Sequence, residues 1–258
     1  MRCIFIGVIA MVVGITSGSG AANADAVPST MASVLANITD AYGGAAVLAS
    51  IKTQTVVVSS VVSGQNATVT NTFAAPDHLL EKVVIPAFQI TVLSGFDGKT
   101  AWASDAYGNF EALTGEKAQE VRCQAIGDNP TTGTSADSTS ATKLESNMTI
   151  GGKTYLVVSV TPPNCPEVVD FVDPQSYLIE RVQTAGVTIT LSDFKKGPSG
   201  ETYPTTIVQS GPQGVAVSTV LSVKDNTAVD PSMFSMPSAP APTPPAASPS
   251  ASPSAHRG

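Results

Sequence analysis

Cys123 and Cys165 are the residues best suited by type to covalent chemistry in this chain of 258 residues. In an oxidising compartment an isolated cysteine pair closes a disulfide more often than it holds a metal. Two free thiols are the other reading. Zinc would need further cysteine or histidine ligands, and only His78 and His256 exist, the second in the C-terminal tail. Acid–base or nucleophilic catalysis is no better supplied. His78 follows Ala75-Pro76-Asp77, a turn sequence, and reads as a solvated turn histidine. A triad needs nucleophile, base and orienting acid in contact, and no Gly-x-Ser-x-Gly elbow occurs. The Asp-Thr-Gly or Asp-Ser-Gly of an aspartic protease is missing too. Asp170 and Asp173 lie close in sequence, but Asp173-Pro174 is accounted for by turn chemistry. No glycine-rich loop suits a phosphate. The chain is therefore expected to be no enzyme, with no catalytic residue, no metal site and no cofactor.

The elements around these residues begin with an export signal. Arg2 precedes an apolar stretch from Ile4 to Ile15, and small residues follow from Thr16 to Ala26. That is the layout of a cleavable secretory signal peptide, residues 1–26. Cleavage after Ala22-Asn23-Ala24 or Ala24-Asp25-Ala26 fits, the second leaving Val27-Pro28 at the new N-terminus. The apolar run is shorter than the ~20 residues a bilayer span needs, and no later stretch is more apolar. A soluble, monomeric, periplasmic or secreted protein is expected. Net charge is −7 and charged residues make up 13%, with no Lys/Arg-rich run. Nucleic acid and anionic membrane surfaces are poor partners for such a chain. Asn37, Asn66 and Asn147 form Asn-x-Ser/Thr sequons, relevant only where the source glycosylates.

The pattern between signal and tail is one helical region followed by strands. Met31, Val34, Leu35 and Ile38 recur at helical spacing after a cap at Ser29 or Thr30. Gly43-Gly44 interrupts, and a second short helix covers about 45–51. Abundant Val and Thr then mark strands: 53–63, 67–73, 79–85, 100–104, 143–150, 153–161, 168–172, 177–184, 187–191, 203–209 and 215–223. Phe88, Ile90 and Val92 alternate with polar residues in a further strand. Asp97-Gly98 reads as a hairpin turn. Residues 115–124 suit a helix, and 127–142 a long mobile loop. Short connections imply an antiparallel meander. Residues 237–258, almost all Pro, Ala and Ser, are expected to be a disordered tail.

A curved sheet wrapped around a helix leaves an apolar interior that suits a greasy ligand. The segment from Tyr42-Gly43-Gly44-Ala45 to Ile51-Lys52-Thr53 resembles the opening of LolA-like proteins, the outer-membrane lipoprotein-sorting superfamily. Ala75-Pro76-Asp77, Phe96-Asp97-Gly98-Lys99-Thr100-Ala101-Trp102 and Gly152-Lys153-Thr154-Tyr155 continue the series. Phe171-Val172-Asp173-Pro174, Tyr177-Leu178-Ile179, and Asp193-Phe194 with Tyr203-Pro204 complete it. After the Pro76 turn this chain has Leu79-Leu80-Glu81-Lys82, where many relatives carry an arginine. The resemblance implies a mainly β fold: an unclosed antiparallel β-barrel, or half-barrel, capped by helices and spanning 27–236. It implies a carrier or binder of lipid or lipoprotein acyl chains. Phe88, Ile90, Val92, Trp102, Val187, Ile189 and Leu191 are the candidate cavity residues, each of them equally at home in an ordinary core. The alternative is a structural or regulatory protein-binding module of the envelope, with its interior filled by side chains and no lipid transport.

Overall fold

The computed structural model describes residues 30–62, 64–127, 141–212 and 214–238. The expected export signal (1–26), nearly all of the expected 127–142 loop and all but the start of the expected 237–258 tail lie outside these residues. Helix α1 (Met31–Ala41) starts where Thr30, in extended conformation, accepts the Ser33 amide proton on its side chain, an N-cap of the usual kind. Val34, Leu35 and Ile38 form its buried stripe. Tyr42 ends it, followed by Gly43 at φ 118° and Gly44 at φ 88°. A Cβ on Gly43 would come within 3.0 Å of the Gly200 carbonyl, so only glycine lets the chain turn there. The last carbonyls of α1, which have no partner within a helix, are met from far along the chain: Thr202 donates its hydroxyl to Ala41 and its amide to Tyr42. Helix α2 (Ala45–Ser50) leads into the sheet.

The strands are β1 (Thr53–Val62), β2 (Gln65–Ala74), β3 (His78–Ile85), β4 (Ile90–Phe96), β5 (Ala101–Ser104) and β6 (Phe110–Ala112) in the first half. After α3 (Gly115–Gly127) come β7 (Ala141–Ile150), β8 (Lys153–Thr161), β9 (Val168–Val172), β10 (Ile179–Thr184), β11 (Val187–Lys196), β12 (Thr202–Gly211) and β13 (Gly214–Asp225). They form one 13-stranded sheet in the order β6-β5-β4-β3-β2-β1-β13-β12-β11-β10-β9-β8-β7. Every neighbouring pair is antiparallel. Two meanders thus join along β1 and β13, from Gln54↔Asp225 to Val62↔Ala216 with a bulge at Val57/Val58. The sheet does not close: β6 and β7 are its edges, and α3 connects them. The half-barrel expected from the sequence is present.

Helices cover one face, here the inner face. Under α1, Val34, Ile38 and Tyr42 pack on Val58, Val158, Val172, Ile179, Ile189, Leu191 and Ile207. Under α3, Val121 and Ala125 pack on Phe73, Leu79, Phe96 and Ala101. Along β1 the buried Val56, Val58 and Ser60 alternate with the less buried Thr55, Val57 and Ser59, as a pleated strand requires.

Several boundaries differ from the sequence reading. Pro86–Phe88 form a 3-10 turn with Gln89 at φ 53°, so the strand begins at Ile90. Tyr177 lies in a turn at φ 57°, and β10 starts two residues later. The periodicity of residues 88–92 matched a strand, but Pro86 and the helical turn it starts break the pairing. The short edge strand β6 has too few residues to show a pattern. Among the described residues, no helix is long and apolar enough to cross a membrane.

Candidate functional site

The inner face contains two kinds of surface. Beneath α1 it is closely filled: Ile189 and Leu191 are 7% and 2% exposed, and Val187 packs half-buried on the same cluster. Beside α3 it is open. A groove of about 500 Å³ runs between α3 and the β4–β5 connection, with Phe96, Ala101, Leu113 and Ala118 as its apolar part. Lys99 and Arg122 stand on its polar side. The Cys123–Cys165 disulfide, Cα–Cα 5.6 Å, binds α3 to the β8–β9 connection, so the pairing favoured from the sequence is made. The Gln119 side chain donates to the Asn164 carbonyl at the same place.

The structure distributes the candidate cavity residues over four places. Val187, Ile189 and Leu191 face α1. Ile90 and Val92 are half-buried on β4, paired with Ile85 and Val83. Phe88 is 59% exposed on the 3-10 turn. Trp102 lies on the outer face, opposite Gly95, which alternates with the inward Ser94 and Phe96. Its indole N–H donates 2.7 Å to the Phe234 carbonyl of the 231–234 turn, and it is 1% exposed. His78 begins β3 on the same outer face and packs edge-on against Phe234, with ring centroids 5.4 Å apart. Its side chain is 29% exposed, half-buried against an aromatic ring where the sequence suggests a solvated turn residue, because the 231–234 turn folds back over it.

Buried polar groups were not foreseen. Asn71 on β2, Glu81 on β3 and Ser94 on β4 are register partners across three strands and point inward between two apolar rows. One row is Phe73, Leu79 and Phe96; the other is Val69, Val83 and Val92. Glu81 is 3% exposed and accepts one hydrogen bond, 3.2 Å, from the Gln124 amide of α3. Burial pushes its carboxyl up to about 7, against the smaller opposing effects of Gln124 and Ser94. Asp170 on β9 also points inward, between Val158 and Val182. Its Oδ1 has no partner, and burial raises its carboxyl to about 8. Tyr42 is held well above the usual phenol range, chiefly by burial, while its hydroxyl oxygen accepts the Ile179 amide proton. Asp173, by contrast, performs the turn role read from Asp173-Pro174: it accepts the Gln175 amide proton and pairs with Lys153 at 2.8 Å. In sequence, Asn71, Glu81 and Asp170 look like other strand polar residues. Only their alternation in step with Val69, Phe73, Leu79, Val168 and Val172 would have placed them inside.

Solved structures of the same architecture exist. A LolA superfamily protein from Nitrosomonas europaea superposes with a TM-score of 0.55 at 13% identity, over 77% of this chain and 96% of that one. The fold is LolA-like. An outer membrane lipoprotein-sorting protein domain from Vibrio parahaemolyticus gives 0.52 at 9% identity, covering 78% and 94%. A DUF1329 family protein from Desulfovibrio piger gives 0.51 at 12%, covering 78% and 97%. No family model and no curated protein matches the sequence. At such identities the likeness to LolA-like proteins concerns the backbone arrangement, and the site residues of this chain have to be judged on their own chemistry.

Proposed function

We propose that this chain is an exported, non-enzymatic envelope protein that holds a lipid or lipid-modified partner against the inner face of its half-barrel. The observation that carries this reading is the groove beside α3, whose apolar part includes Phe96 and Ala101 of the packed cluster beneath the helix. A chain entering the groove would stay in contact with apolar surface, where each buried methylene contributes ~0.8 kcal/mol. The printed role of the Vibrio domain, lipoprotein sorting, supports the same class of ligand, and the N-terminal signal supports an extracytoplasmic location. Native mass spectrometry of protein released gently from the envelope is expected to show a bound mass of lipid size. A protein that is empty throughout and takes up no lipid on incubation would refute the reading.

The second reading is a protein-binding module without lipid transport. It is favoured by the α1 half, where Val34, Ile38 and Tyr42 occupy the inner face and leave Ile189 and Leu191 as core. The two readings differ in the same experiment, since the module predicts no lipid adduct.

A further inference from the structure

The groove beside α3 is divided by charge. Phe96, Ala101, Leu113 and Ala118 line one part of it, and Lys99 and Arg122 approach from the β4–β5 turn and from α3. No Asp or Glu lines it, although the chain carries 20 carboxylates against 13 cations. Lys143 and Lys153 sit in ion pairs, whereas Lys99 and Arg122 enter none among the described residues. The other polar groups at the groove are already occupied. The amides of Lys99 and Thr100 both donate to the Asp97 carboxylate, and the Gln119 side chain donates to the Asn164 carbonyl. Arg122 and Asn164 are the chain neighbours of Cys123 and Cys165, so the disulfide fixes the spacing of two of the walls. The unspent recognition chemistry is thus two cations beside one small apolar surface.

We propose that this groove binds a single-chain fatty carboxylate, with its alkyl chain on Phe96, Ala101, Leu113 and Ala118 and its head group between Lys99 and Arg122. A volume of about 500 Å³ suits one small amphiphile. The guanidinium presents a planar fork that matches the two oxygens of a carboxylate, and the ammonium adds a second charge-assisted donor. A monoanion also fits the local field better than a phosphate. Asp97 places a negative charge at the turn that bears Lys99, and its repulsion of a dianion is twice that of a monoanion. The inference rests on the lipid-binding reading and adds to it the charge and chemistry of the head group.

The test is isothermal titration of the full chain, freed of its signal and delipidated, with decanoate, 1-decanol and decyl phosphate, all below their micelle concentrations. Lys99 is exposed and Arg122 half-exposed, so each contributes as a partly screened pair. Decanoate is expected to bind on the order of fivefold more tightly than decanol at low salt. In about 1 M sodium chloride the two should converge within about twofold. Lys99→Gln with Arg122→Gln should abolish the preference and leave decanol binding unchanged, while Lys117→Gln, on α3 away from the groove, should keep it. Equal binding of decanoate and decanol by the wild-type chain would overturn the inference and leave lipid binding intact. Tighter binding of decyl phosphate than of decanoate would overturn the choice of carboxylate. A preference that survives the double substitution would place recognition elsewhere and overturn the site. Binding of none of the three would overturn the lipid-binding reading and this inference with it.

Discussion

Replacing Asp170 by Asn should change how the stability of this protein depends on pH. Asp170 is 2% exposed, lies between Val158 and Val182, and has an unpartnered Oδ1. Its carboxyl titrates at about 8 in the folded chain, against 3.8 for an ordinary aspartate. The folded value is raised, so the folded state binds the proton more tightly than the unfolded state. Below about pH 4 both states are protonated and the full contribution to stability is present. As pH rises towards 8 the unfolded chain ionises first, and stability falls by about 1.4 kcal/mol per unit. By pH 7 the accumulated loss is up to ~4 kcal/mol. Asparagine has nearly the same shape and no charge, so it removes this dependence. It leaves a pH-independent cost of ~1–3 kcal/mol for its own buried donors. The variant is therefore expected to be less stable than wild type near pH 4.5 and to gain on it steadily towards pH 7.5. Urea unfolding followed by Trp102, the single tryptophan and 1% exposed, measures both curves. Glu81, raised to about 7 for the same reason, adds a slope common to both proteins. If the two stability curves run parallel from pH 4.5 to 7.5, Asp170 is not a buried neutral acid and the reasoning fails.

Two further outcomes follow from the same structure. Cys123→Ser with Cys165→Ser opens a loop of sequence separation 42 and should cost ~4 kcal/mol, mainly by freeing the unfolded chain. Because the disulfide holds α3 over the groove, amide exchange should accelerate most between residues 115 and 127; uniform acceleration across the sheet would argue against this tether. Gly95→Ala would put a methyl 2.5 Å from Cζ2 of the buried Trp102 ring. The ring must move and release the Phe234 carbonyl, so a loss of ~1–3 kcal/mol and a red-shifted emission are expected. An unchanged emission maximum and unfolding midpoint would show that Trp102 does not lie against Gly95.

What the amino-acid order determined by itself is local. Thr30 as a cap, the Val34–Leu35–Ile38 stripe, the Gly43-Gly44 break, the Asp97-Gly98 turn and the alternation of Val and Thr each depend on neighbours a few residues away. The α1 helix and most of the strands followed from them, as did antiparallel pairing, because the connections are too short for crossovers. Where the local signal was ambiguous it misplaced an edge, as at Pro86–Phe88. The tertiary structure decided which face of each strand is inside. Period-two alternation gives two faces without saying which one the helices cover, and so Trp102 came to lie outward against the 231–234 turn while Asn71, Glu81 and Asp170 came to lie inward. It also decided that β1 pairs with β13, a contact between residues as far apart as Gln54 and Asp225 that no local pattern encodes. That pairing turns two meanders into one open sheet and leaves the connection through α3 to run between its two edges.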